Sequence, residues 1–345
     1  MKMNAIQFYE PENIKYEEVE IKEPKADEVQ VKIMATLTCG TDVKTYRRGH
    51  PLLIKKVPSG FGHEFSGIIT KVGKNVVGFN VGDRVVAANS APCGECFFCK
   101  KGDYNLCENL EFLNGAYAEY INIPKAIVKR NLLKLPANVS FEEAAFAEPL
   151  ANVLHGIDKT EIKAGQSVGV IGIGPIGLLF VKMAKMKGAR VIAAGRNQLK
   201  LKMAKTFGGA DEVVDLSKYK NPEKIFQNFS DGKKGLDVAI ECVGLPEIWE
   251  DMFRYTRRGG VIHLFGGCKS GTKIEIDTKR LHYDQIKVLS IFHHTPKYFR
   301  QALKLISENK IPVKELITTT MPLSATETAL KMQAEGKAIK VLIKP

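Results

Sequence analysis

The early part of the chain alternates or bunches apolar residues in short runs separated by Gly, Pro and Asn, the pattern of half-buried strands. Residues 28–37 (EVQVKIMATL), 65–76 (FSGIITKVGKNV) and 79–89 (FNVGDRVVAAN) read this way. They predict a β-rich, barrel-like or partly open domain. The period changes near Ser167. Residues 167–177 (SVGVIGIGPIG) read as a buried strand entering a glycine-rich turn, and residues 178–189 (LLFVKMAKMKGA) carry apolar positions at helical spacing. Strand 190–195, helix 198–210, strand 212–216, strand 236–244, helix 246–256 and strand 259–267 follow. Such βαβ alternation predicts a parallel, doubly wound sheet. A helix over 298–310 and a strand over 338–345 close the chain.

The chain has 345 residues, too many for one comfortable core. The β-rich stretch, the βαβ stretch and the closing helix and strand divide it into residues 1–150, 151–288 and 289–345. The fold class expected is therefore α/β: a β-rich domain plus a doubly wound one. At 44% hydrophobic and 26% charged the composition is that of a soluble globular protein. No apolar run is long enough for a membrane span, and the opening MKMNAIQFYE lacks a signal-peptide core, so a cytoplasmic address is expected. The net charge of +13 raises the question of nucleic acid. The lysines are scattered among 38 acids without an aromatic–basic motif, so no nucleic-acid partner is expected.

Gly172-Ile173-Gly174-Pro175-Ile176-Gly177 fits GxGxxG between a predicted strand and a predicted helix, the context a dinucleotide site requires. The first glycine permits the turn, the second lets backbone approach a pyrophosphate, and the third lets helix and strand pack closely. An NAD site commonly places a carboxylate about 20 residues on, for the ribose 2′-hydroxyl. Here Gly195, Arg196 and Asn197 occupy that region, with Lys200 nearby. Gly195 would leave room, and the Arg196 fork suits a 2′-phosphate. NADP is therefore favoured over NAD.

Cys93, Cys96, Cys99 and Cys107 form C-x2-C-x2-C-x7-C. Clustered cysteines in a reducing compartment favour metal over disulfides. Four thiolates so spaced can close a tetrahedral shell at about 2.3 Å, the structural zinc pattern, with redox cysteines or an iron–sulfur cluster as alternatives. A closed shell leaves no place for substrate, so chemistry is sought elsewhere. Cys39 in LTCGTD, His63 and Glu64 in GHEFSG, and Glu148 in AEPL offer a thiolate, an imidazole and carboxylates. That set would leave one coordination position open. Two zinc ions per chain are expected.

Taken in order, CGTD, GHEFSG, VGDRV, the four-cysteine lobe, AEPL and GIGPIG resemble the zinc-dependent medium-chain dehydrogenases, above all their sorbitol (polyol) and threonine dehydrogenase branch. The resemblance covers essentially the whole chain. It implies a GroES-like catalytic domain, a Rossmann domain, a C-terminal segment 289–345 that returns to the catalytic domain, and a homo-oligomer, dimer or tetramer. It implies Cys39 and His63 as catalytic zinc ligands, Glu64 as a direct or alternate ligand, and Glu148 as a residue touching zinc or its water. It gives Asp42 the part of holding the His63 tautomer, and Thr41 that of taking the substrate proton. Relatives often carry His where Lys44 stands; a lysine of ordinary pKa, about 10.4, relays protons poorly near neutrality. Lys44 remains a catalytic candidate through a nicotinamide ribose or phosphate. His293 and His294 replace an Arg-Tyr pair found near the substrate of polyol dehydrogenases; they are candidates for the pocket or for packing. The expected activity is hydride transfer between a secondary alcohol or polyol and NAD(P). Threonine is the rival substrate, with Lys44, Arg47 and Arg48 as carboxylate-binding candidates. A non-catalytic zinc or nucleotide-binding protein is the remaining alternative. His50, His155, His263 and His282 have no partner visible in the sequence, and Cys242 and Cys268 read as inert core residues.

Overall fold

The strand Val29–Leu37 is buried at seven of its nine positions, which places it in the middle of a seven-stranded sheet. It pairs antiparallel with Glu64–Val72, which pairs in turn with Arg84–Ala87. The structure is a computed structural model and describes residues 1–51 and 53–345. Gly67 sits beside an irregularity in this pairing, and a Cβ there would meet the Lys32 carbonyl oxygen at 2.1 Å. Val29, Val31, Ile33, Phe65, Ile69 and Val85 form part of the core under the sheet. The last strand, Lys340–Lys344, lies antiparallel to Val29–Leu37, with Leu342 opposite Leu37, and parallel to Ile317–Pro322. The C-terminal residues thereby complete the first sheet.

The chain divides into two compact units, residues 1–151 with 294–345, and residues 152–293. The second holds a six-stranded parallel sheet. Its spatial order is Glu212–Asp215, Arg190–Gly195, Ser167–Ile171, Leu236–Glu241, Thr256–Leu264 and Lys287–Leu289. The order reverses between Ser167–Ile171 and Leu236–Glu241, the switch point at which doubly wound sheets bind ligands. Every residue of Ser167–Ile171 is buried, as expected for a strand covered on both faces.

Several elements depart from the sequence expectations. Residues 79–89 hold only a short strand, Arg84–Ala87, because Asn80–Asp83 forms a turn in which Gly82 has φ +91°. The helices Gly40–Arg48, Ala147–Thr160, Glu223–Phe229 and Thr326–Ala334 were not anticipated. Ala147–Thr160 contains Pro149, but in the first turn, where no backbone N–H donor is needed. The edge strand Lys287–Leu289 is three residues long and largely exposed, too short to carry a period. Cys242 and Cys268 are half-buried, not core residues. Among the described residues, no helix is long and apolar enough to cross a membrane.

Candidate active site

The four cysteines of residues 93–107 converge, their sulfurs all within 4.8 Å of one another. Backbone N–H groups point at them: Cys93 N–H donates to Cys107 Sγ (3.2 Å), Gly94 N–H to Cys99 Sγ (3.3 Å) and Cys96 N–H to Cys93 Sγ (3.4 Å). Bonds from the Glu95 and Cys96 backbone pull the Cys93 thiol down to about 6, while burial pushes Cys99 up to about 12. Sulfurs this close cannot all ionise without a cation between them, so the donor set fits zinc in a closed thiolate shell. Arg130 closes the lobe from outside. Its Nη2 donates to the Cys93 carbonyl at 2.8 Å, and a Cβ on Gly94 would meet it at 1.9 Å.

A second donor set lies between the central strands and the helix Gly40–Arg48. Leu37 pairs with Glu64, itself a donor, across the sheet, and His63 and Cys39 stand just beyond the pair. Cys39 is the N-cap of that helix and accepts from the Thr41 backbone N–H at 3.4 Å. Ligand atoms of Cys39, His63 and Glu64 all lie within 4.8 Å of one another. His63 Nδ1 lies 2.8 Å from Asp42 Oδ1, with both side chains buried. With Nδ1 engaged on the Asp42 side, Nε2 is the ring atom left to serve as a metal donor. Burial alone would lower the His63 pKa, but Asp42 and then Cys39 outweigh it and hold it well above the ordinary value. Burial, followed by the Glu64 charge, lifts the Cys39 thiol.

The sequence reading missed Lys340. Its ammonium forms an ion pair with Glu64 Oε2, with side chains 2% and 0% exposed. Burial lowers the Lys340 pKa, but Glu64 and Cys39 more than offset this and raise it, with Glu148 adding to the effect. A lysine inside the apolar run AIKVLIKP was the available signal, since a buried charge requires a partner.

The other candidates distribute around this group. Glu148, 6% exposed in the helix Ala147–Thr160, stands outside the Cys39–His63–Glu64 trio, with its Oε1 3.9 Å from His294 Nε2. His294 Nε2 is also 3.3 Å from Asn89 Oδ1, and its ring stacks on Phe299. Thr41 is half-buried in the first turn of its helix, while Lys44, Arg47 and Arg48 are exposed on it. His293 has φ +61°, and its carbonyl contacts His155 Nδ1 at 2.8 Å.

In the second unit, Gly172 has φ +92°, open to glycine at little cost. A Cβ on Gly177 would meet the Gly172 carbonyl oxygen at 2.1 Å, so the third glycine is required by close packing. Gly174 caps the helix Pro175–Met186, with Pro175 in its first turn and Ile176 following. Nothing lies within 4 Å of where a Gly174 Cβ would stand, so backbone there is approachable. A Cβ on Gly195 would strike Ile173 at 2.5 Å. Asn197 caps the next helix by accepting from the Lys200 N–H at 3.1 Å. Arg196 is exposed, and burial lowers the Lys200 pKa. Glu241, another residue the sequence reading missed, ends the adjacent strand fully buried. It accepts from the Gly244 N–H (2.8 Å) and Trp249 Nε1 (2.9 Å), bracing the loop at the switch point.

Two family descriptions match the chain: "Alcohol dehydrogenase GroES-like domain" over residues 25–137 and "Zinc-binding dehydrogenase" over residues 175–308. A sorbitol dehydrogenase of Halalkalibacterium halodurans is 35% identical over 330 residues, 93% of each chain. An L-threonine 3-dehydrogenase of Bacillus subtilis is 34% identical, covering 95% of this chain and 94% of its own. Among solved structures, a putative zinc-binding dehydrogenase from Sinorhizobium meliloti bound to NADP superposes with a TM-score of 0.91 at 32% identity, over 100% of both chains. With both parts of the chain matched and full-length relatives above 30% identity, the protein belongs to the zinc-dependent medium-chain dehydrogenases, as an NAD(P)-linked oxidoreductase similar to their sorbitol and threonine dehydrogenase members.

Proposed function

We propose that the protein interconverts a secondary alcohol, of the polyol or sugar-alcohol type, with its ketone, using NADP in preference to NAD. The observation that carries this reading is the convergence of Cys39, His63 and Glu64 within 4.8 Å, with Asp42 behind the imidazole. Cys39 and His63 would hold the catalytic zinc, with Glu64 and Glu148 as the carboxylates at hand, and the four-cysteine lobe would hold a second ion. Zinc, when bound, supplies the Lewis acidity that makes an alcohol proton easier to lose. Asp42 orients the imidazole. The Thr41 hydroxyl, in the first turn of the helix that Cys39 caps, receives the substrate proton and passes it outward. Lys340 balances the charge of Glu64. The glycine turn and the N-terminus of Pro175–Met186 receive the cofactor pyrophosphate, and hydride acceptance belongs to the nicotinamide. Arg196, exposed beside Gly195 and Asn197, would grip a 2′-phosphate with Lys200 close by. His293, His294 and Lys44 remain candidates for contacting substrate or cofactor.

A threonine-type amino alcohol is the second reading. The 34% identity to a threonine dehydrogenase supports it, as do the cations Arg47 and Arg48 on the helix that carries Thr41. A homo-oligomer is supported by the exposed edge strand Lys287–Leu289, with Val288 41% and nearby Tyr283 76% exposed. Absorbance at 340 nm across polyols, 2,3-butanediol, secondary alcohols and threonine, each with NAD and NADP, tests the reading. Turnover with polyols or diols supports it, and turnover with threonine alone replaces it with the second. Arg196→Asp should reverse the cofactor ratio toward NAD by at least about tenfold; an unchanged ratio removes Arg196 from the cofactor site.

A further inference from the structure

Tyr117 is fully buried and far in sequence from Cys39, His63 and Glu64, yet it reaches the group behind His63. Its hydroxyl donates to Asp42 Oδ2 at 2.6 Å, the short distance typical of O–H donation to a carboxylate. The Leu37 carbonyl, at 3.2 Å, is the weaker of its two acceptors. Asp42 is 1% exposed, and its other oxygen faces His63 Nδ1 at 2.8 Å. The two oxygens of one carboxylate thus join tyrosine to imidazole.

The tyrosine is held on every side. Its N–H donates to the Phe61 carbonyl at 2.8 Å, and its own carbonyl accepts from the Ile6 N–H at 2.7 Å. Its ring meets Phe61 edge-on, with centroids 5.6 Å apart, and lies against Gly62, where a Cβ would come within 2.6 Å of it. Gly62, at φ +89°, is the residue before His63. The ring therefore fixes the backbone that presents His63, while the hydroxyl fixes the carboxylate that orients it. Burial, followed by Asp42, holds the Tyr117 pKa well above its ordinary value, so the phenol stays a donor.

We propose that Tyr117 is a positioning residue of the catalytic metal site, acting through Asp42 to set the aim of His63. The proposal rests on reading Cys39 and His63 as zinc ligands. Partners that hold a metal-bound histidine typically change metal affinity or activity by about 10–100-fold when removed. Tyr117 stands one bond further out, so the lower end of that range is expected.

The test uses the full-length, zinc-loaded chain and Tyr117→Phe, which keeps the ring and removes only the hydroxyl. Zinc release to a chromogenic chelator should show two ions, the four-cysteine ion serving as internal control. In the variant the other ion should bind about tenfold more weakly, the control ion should be unchanged, and the visible spectrum of cobalt substituted at the catalytic site should shift. Placing Tyr117→Phe on an Asp42→Asn background should add little, because both act through one contact. Tyr117→Leu separates packing from hydrogen bonding. If only the Leu variant loses metal while the Phe variant matches wild type, the hydroxyl has no positioning role and the proposal falls. If wild-type protein releases one zinc only, and Cys39→Ala leaves that number unchanged, the zinc reading beneath the proposal fails instead.

Discussion

Lys340 and Glu64 lie 276 positions apart and meet with almost no solvent between them. Taking two charges out of water is costly, and removing one partner leaves the other stranded. Lys340→Met should therefore destabilise the zinc-loaded protein by about 3–5 kcal/mol in urea unfolding, and adding Glu64→Gln should restore most of the loss. Equal losses in the single and double variants would mean that the pair is not the stabilising unit. At this scale the sequence offered unequal signals. The four cysteines declared a metal lobe through spacing alone. Cys39, His63 and Glu148 were weak individually and gained weight only together. Lys340, Tyr117 and Glu241 were not singled out, because their roles depend on neighbours brought from other elements.

Strands and helices show the same division. The strand Ser167–Ile171, its glycine turn and the helix Pro175–Met186 were readable because continuous burial, φ-permissive glycine and helical periodicity are local properties. Glu223–Phe229 and Lys287–Leu289 were not, being too short to establish a period. The strand Thr256–Leu264 carries a testable oddity in His263. It is fully buried between Phe180 and Phe265, and neither ring nitrogen has a hydrogen-bond partner among the described residues. Burial, with a smaller contribution from His155, lowers its pKa to about 3. An unfolded histidine titrates near 6.5, so between these values the unfolded chain binds a proton that the folded chain refuses. Stability from this residue is intact above about pH 6.5 and falls by about 1.4 kcal/mol per unit as the pH drops toward 3. Compared with wild type, His263→Leu should gain about 2 kcal/mol on going from pH 7 to pH 5, measured by urea unfolding. A difference that does not change with pH would show that the ring takes up a proton in the folded state.

Across the whole molecule, each unit carries its own chemistry. The Cys39–His63–Glu64 set and the four-cysteine lobe lie within residues 1–151 and 294–345, and the glycine turn lies within 152–293. Metal and cofactor binding should then separate by mutation. Cys39→Ala should reduce zinc from two ions to one and abolish turnover, while NADPH binding, followed through Trp249 fluorescence, stays within about twofold of wild type. Retained turnover would remove Cys39 from the catalytic centre. Loss of cofactor binding would show that the second unit depends on the metal in the first.

The sequence by itself determined what short stretches of chain can decide. A glycine turn between strand and helix, four thiols within fifteen positions, and the alternation of strand with helix are set by backbone conformation and spacing. Only the tertiary structure decided which distant groups share a buried site. The pairing of Leu37 with Glu64, and of Leu37 with Leu342, sets the places of Cys39, His63 and Lys340. A one-residue slip in either strand would turn those side chains to the opposite face. Strand register is fixed by the packing of the whole core, so Lys340 and Tyr117 acquire their partners only when the chain has folded.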